Sequence, residues 1–165
     1  NNGGVQAIYD GLKSVFSDGI FTADYYVKVP TDLSENDYLF GAYNADRSNS
    51  IVINKQLATT SGMALEAYLK ESTYSSTNRI IGSLIKEWTH IALVGDGANL
   101  RVYCDGILHG TLSFSIMPAI PSDINTLRFR FYGNAGGIRI AQFALRNYPV
   151  WTSDFTPPTL LYKQI

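Results

Sequence analysis

A glycoside hydrolase needs two carboxylates about 5–10 Å apart, one acting as acid and the other as nucleophile or base. On a strand such a pair appears as acids at i and i+2 or i+4. The glutamates are Glu35, Glu66, Glu71 and Glu87, and no strand-like stretch carries them in a Glu-x-Asp-x-x-Glu pattern. His90 follows Trp88 without a Ser or Cys nucleophile signature beside it, and His109 lies just after a turn. Two isolated histidines do not make a zinc site, and His90 is expected to pack with a hydrogen bond rather than to catalyse. Cys104 is the sole cysteine, which excludes an intramolecular disulfide and a site built from several thiolates. It falls on the apolar phase of its strand, the position of a buried structural thiol. The expectation is a protein that is not an enzyme.

Binding chemistry is better represented. Sugar recognition uses an aromatic plate with amide, carboxylate and guanidinium hydrogen-bonders around it. The stretch Tyr43-Asn44-Ala45-Asp46-Arg47-Ser48-Asn49 is the richest such set, and Tyr74, Asn78 and Arg79 form a second. The alternative is plain polar loops. Arg128 and Arg130 share one phase of a strand with Tyr132, and Arg101, Tyr103 and Arg139 occupy the corresponding phase of other late strands. If those strands were neighbours, arginine and tyrosine would form one stripe across a sheet, suited to anionic sugars or an acidic partner. The alternative is a solvated face whose arginines pair with local acids. Asp46, Asp96, Asp105 and Asp123 are loop acids of the type that hold Ca²⁺ at a sandwich rim. No Asp-x-Asp-x-Asp cluster accompanies them, and ordinary turn residues are the alternative.

The elements that would carry these residues are strands. From Glu87 to Gly110 the chain reads as an apolar run, a Gly95–Asn99 turn, an alternating strand Leu100–Cys104, and Asp105-Gly106 before a return strand over 107–116. Asp-Gly is a strong type I′ hairpin signal, because both central positions of that turn need positive φ. Trp88, at the head of this run, is expected between the sheets. Further strands are expected over 20–30, 38–43, 50–54, 62–70, 79–84, 125–132 and 138–145, with loops over 31–37 and 71–78. The stretch 62–70 alternates at period two in spite of helical propensity. Residues 133–137 are a glycine-rich turn without a helix after it, so it is not a phosphate cradle. The predicted organisation is an arm or short helix over 1–19, an antiparallel two-sheet jelly-roll sandwich over 20–146, and an extended segment over 147–165 packing on it. Trp151 and Phe155 are the anchors of that last segment, and Pro157-Pro158 stiffen its exit.

Composition agrees with one globular all-β domain of 165 residues, 45% hydrophobic and rich in Tyr and Phe. A net charge of −1 without a polybasic run argues against nucleic acid as a partner. No apolar run approaches the roughly 20 residues of a membrane-spanning helix, so membrane insertion is not expected. The first residues, Asn-Asn-Gly-Gly, suggest a processed product or a module of a longer chain.

The run Trp88-Thr89-His90-Ile91-Ala92-Leu93-Val94, then Asp96-Gly97, then Leu100-Arg101-Val102-Tyr103 and Asp105-Gly106, resembles the signature hairpin of laminin-G-like domains in the concanavalin A-like lectin/glucanase superfamily. Phe21-Thr22 through Val27-Lys28 resembles the family's opening strand. Trp151-Thr152-Ser153-Asp154-Phe155-Thr156-Pro157-Pro158-Thr159 resembles the ending of such modules in bacteriophage tail and virion proteins. Those modules often show Ile-Asp-x-x-Arg-Ile on the last strand. Here Arg139 and Gln142 replace the acid and the Arg, so no role of that acid carries over. The resemblance implies a non-enzymatic module on a phage tail or capsid surface, binding host-surface glycan. The alternatives it leaves are a structural module contacting neighbouring virion subunits, compatible with a homo-oligomer, and a carbohydrate-binding domain of a secreted or cell-surface bacterial adhesin or polysaccharide-active enzyme. It implies no required cofactor, with Ca²⁺ at the loop acids left open.

Overall fold

The computed structural model describes residues 4–8, 12–28, 37–44, 49–58, 62–71, 74–76, 88–114, 124, 126–130 and 139–160. Among the described residues, eleven strands and one short helix run in the order β1 (Gly4–Ile8), α1 (Leu12–Phe16), β2 (Ile20–Lys28), β3 (Asp37–Tyr43), β4 (Asn49–Ala58), β5 (Gly62–Glu71), β6 (Tyr74–Ser76), β7 (Thr89–Asp96), β8 (Asn99–Cys104), β9 (Ile107–Ser113), β10 (Thr126–Arg130) and β11 (Arg139–Arg146). They form two antiparallel sheets. One has six strands in the order β1-β10-β3-β4-β5-β6, and the other has five in the order β11-β2-β7-β8-β9. This is the jelly-roll sandwich of concanavalin A-like folds.

Period-two alternation builds the core between the sheets. Phe21, Ala23, Tyr25 and Val27 of β2 point inward with Ile91 and Leu93 of β7, Leu100, Val102 and Cys104 of β8, and Leu112 of β9. Ala42 and Ile51 meet them from the six-stranded sheet, and Phe16 of α1, Phe114 and Ile124 join the same cluster. Burial of each large side chain is worth roughly 1.5–3 kcal/mol. Cys104 is buried among them, and desolvation pushes its thiol up to about 12. The β8–β9 turn is type I′ in character, with φ of 48° at Asp105 and 81° at Gly106.

Several expectations change. Residues 4–8 are not part of a loose arm. They form an edge strand whose Val5 and Ala7 stand opposite Phe129 and Leu127 of β10, so the sandwich begins before residue 20. Tyr74–Ser76, expected in a loop, pairs with the end of β5. Trp88 is half-buried and precedes β7. By alternation it shares the phase of His90, Ala92 and Val94, which point away from the central core, so it does not sit between the sheets. The arginine stripe does not form. Arg128 and Arg130 lie on β10 in the six-stranded sheet, whereas Arg101 on β8 and Arg139 on β11 lie in the five-stranded one. The strand expected over 79–84 lies outside the described residues.

Candidate functional site

The outer face of the five-stranded sheet is covered. In the five-stranded sheet the outward residues Thr22, Asp24, His90, Ala92, Val94 and Tyr103 are buried as thoroughly as the inward ones. Residues 147–160 cover them as an extended strap. Val150 N–H donates to Thr22 Oγ1 at 2.9 Å, and that hydroxyl donates to Tyr148 O at 2.8 Å. Trp151 and Phe155 stack with centroids 4.0 Å apart and pack against Ala92, Val94 and Tyr103. Asp154 Oδ1 accepts from Leu108 N–H at 2.8 Å, and Phe155 N–H donates to Gly106 O at 2.9 Å. The strap then returns across the sheet, where Pro158 O accepts from the Tyr26 hydroxyl and Thr159 O from the Gln142 amide.

Beneath the strap lies a polar trio that the sequence did not reveal. Asp24, 4% exposed, pairs with Arg146 through one carboxylate oxygen and stands 3.3 Å from His90 Nε2 through the other. His90 is 1% exposed, and the rings of Tyr26, Trp151 and Phe155 lie 4.9–5.8 Å from it. Its backbone N–H donates to Asp105 Oδ1 at 2.8 Å. Burial, then Asp105, then Asp24, raises the Tyr26 hydroxyl above its ordinary pKa. The expected packing role of His90 therefore holds, and no Ser or Cys hydroxyl or thiol is bonded to it among the described residues.

Two of the candidate Ca²⁺ acids do not fit a cation. Asp96 Oδ1 accepts from Ala98 and Asn99 N–H at 3.0 and 2.7 Å, and Oδ2 pairs with Arg101 at 2.6 Å. Burial works to raise its pKa. Those backbone bonds and the guanidinium outweigh it, so the carboxyl lies below its usual range. Asp105 holds the hairpin turn to β7. Among the described residues no three His, Cys, Asp or Glu side chains gather as metal ligands. Asp46 and Asp123 lie outside the described residues.

The six-stranded sheet brings together what the sequence kept apart. Ala42 points into the core, so Gly41 and Tyr43 lie on the outer side of β3. Tyr43 is half-exposed and folds its ring over Gly41, where any added Cβ would strike that ring. A glycine in a strand marks such a close approach. Asn44 follows and is buried. On one side of β3, Thr126 of β10 stands opposite Tyr43 and Arg128 opposite Gly41. On the other, Ser50 of β4 stands opposite Tyr43, with Asn49 just before it. Arg128 and Tyr43 are thus diagonal neighbours, about 7–8 Å apart and within reach of aromatic and long side chains. Arg130 lies two residues further along β10, opposite Gly4. Asp46, Arg47 and Tyr132 lie outside the described residues. The pairing of β10 with β3 had no signal in the sequence, because about 80 residues separate the two strands.

No protein-family profile and no curated protein matches the sequence. Solved structures do share the fold. Botulinum neurotoxin type C, from work on its cell entry through two ganglioside molecules, is 12% identical with a TM-score of 0.61 over 89% of this chain. A tetrameric galectin from the sponge Cinachyrella is 8% identical with a TM-score of 0.57, covering 87% of this chain and 99% of its own. A leech intramolecular trans-sialidase bound to 2,7-anhydro-Neu5Ac is 18% identical with a TM-score of 0.60 over 92% of this chain. The chain spans 37% of the length of the matched toxin chain and 26% of that of the matched sialidase chain. At such identities the likeness is one of fold.

Proposed function

We propose that this chain is a non-enzymatic carbohydrate-binding module, and that its binding face is the outer side of the six-stranded sheet around Tyr43. The observation that carries the reading is the β3–β10 register. It sets an aromatic ring over a glycine, with Asn44 next in sequence and Arg128 on the adjoining strand. That is the aromatic-plate and polar-donor combination that sugars require. The opposite outer face is filled by the strap. The fold neighbours include a galectin and a toxin whose cell entry depends on gangliosides, which supports the same reading. A phage virion or tail as the setting, with host-surface glycan as the target, belongs to this proposal and rests on the likeness of the 151–159 ending.

Asp24 is buried between Arg146 and His90, while Asp96, Asp105 and Asp154 accept backbone N–H bonds. Glycan-array binding by the wild type, reduced at least tenfold in Tyr43→Ala, tests the proposal. Binding that survives both Tyr43→Ala and Arg128→Ala unchanged would remove the site. Release of reducing ends from polysaccharide, abolished by Glu66→Gln or Glu87→Gln, would overturn the non-enzymatic part.

A further inference from the structure

We infer that the outer face of the five-stranded sheet is a peptide-docking groove, filled here by the chain's own strap and open to the same segment of a second copy. The inference is independent of the sugar-binding face.

The groove is built into the strands themselves. An antiparallel sheet with one wet face alternates apolar with polar residues. β7 instead is buried on both phases, from Thr89 to Gly95. Ala92 and Val94 are the small residues of its outer phase, and Trp151 and Phe155 cover them as one stack. The rings of His90 and Tyr103 meet Phe155 at 5.8 and 5.3 Å. At Gly106 the strap backbone comes so close that a Cβ would strike Phe155 O. Pro157-Pro158 continue the segment, and Pro158 O accepts from the Tyr26 hydroxyl. Stiff proline segments dock on aromatic-lined surfaces at low entropic cost. The face therefore fits one extended sequence, Trp-x-x-x-Phe-x-Pro-Pro.

The strap is held at points and not by a ladder. Among the described residues its one backbone-to-backbone bond to the sheet is Phe155 N–H to Gly106 O. The remaining bonds each use a single side chain, from Thr22, Tyr26, Gln142 or Asp154. On the floor beneath, His90 Nδ1 and the Tyr103 hydroxyl are buried without a hydrogen bond. Segments with few backbone bonds open before the rest of a fold. The strap follows β11 through Asn147, which is exposed, and its release breaks no pairing among the described strands. Its partners all lie on residues that a second copy also carries, so reciprocal exchange restores every contact in trans. Tethering favours the chain's own strap in dilute solution, and close spacing of copies removes that advantage.

Two measurements test the groove and its partner. The first uses the full chain carrying Trp151→Ala/Phe155→Ala and a fluorescent peptide of residues 147–160. The variant should bind this peptide at least tenfold tighter than the wild type, whose groove is filled. Alanine in place of Trp and Phe in the peptide should abolish binding. Phe155→Ala alone serves if the double variant loses its fold. The second mixes full chains carrying Leu108→Cys with others carrying Asp154→Cys, because Asp154 reaches Leu108 N–H across the groove. A disulfide between the two chains, increasing with protein concentration, is the expected result. A folded variant that ignores the peptide would overturn the groove. Cross-links that form in a chain carrying both cysteines, and never between chains, would overturn the second copy as its partner.

Discussion

Asp24 has two partners at once in a buried setting, the Arg146 guanidinium on one carboxylate oxygen and the His90 ring on the other. Removing one partner of such a group leaves an uncompensated buried charge, which costs roughly 3–5 kcal/mol. Arg146 is about a third exposed, so water offsets part of the loss. Asp24→Asn should therefore destabilise by about 3 kcal/mol in urea unfolding, and a change under 1 kcal/mol would show the trio to be incidental. Cys104 gives a prediction in pH. Its folded thiol is pushed up to about 12 from an ordinary 9.0, so the folded state holds the proton more tightly than the unfolded chain. The stabilising contribution is complete below pH 9 and declines as pH rises toward 12, by about 1.4 kcal/mol per unit. Cys104→Ala should flatten the alkaline limb of a stability–pH profile. The native protein at pH 8 should resist iodoacetamide until it is unfolded. The roles of Cys104 and His90 were legible because each sits on a definite phase of an alternating strand. Asp24 was not, since Phe21-Thr22-Ala23-Asp24-Tyr25 shows an acid in an apolar run without its partners 66 and 122 residues away.

The strap is the element with the largest separable effect. Trp151 and Phe155 are half-buried, so Phe155→Ala should cost about 2–3 kcal/mol, below the 3–5 typical of a fully buried aromatic. An unchanged denaturation midpoint would mean that the strap rests on the sheet without stabilising it. Gly106 is a stricter position. Its φ of 81° suits glycine, and a Cβ there would run into Phe155 O. Gly106→Ala should loosen both turn and strap, read as faster amide exchange at Phe155 and Leu108. On β11, two residues oppose one of β2 between Ala141 and Ala144, and Gln142 has a φ of 54°. This bulge turns Gln142 toward Thr159 O, at the position where the sequence departs from the modules it resembles. The anchors of the strap and the Asp-Gly hairpin were readable because local chemistry dictates them. The edge strand Gly4–Ile8 was not, because five residues give too short an alternation. The division of the arginines between two sheets depends on pairings between distant segments, which no local pattern encodes.

Taken together, the sandwich has two outer faces. One is closed by the chain's own C-terminal segment over Asp24, His90 and Tyr103. The other carries Tyr43 on β3, with Thr126 and Arg128 of the neighbouring strand β10 opposite Tyr43 and Gly41. The account stands or falls on which face meets sugar. A titration of ¹⁵N-labelled protein with 3′-sialyllactose, followed by amide shifts, decides it. Shifts should gather at residues 41–44, 50–52 and 126–130, weaken in Arg128→Gln, and leave 148–158 still. Shifts confined to the strap and the β8–β9 turn, or none at all at millimolar ligand, would contradict it.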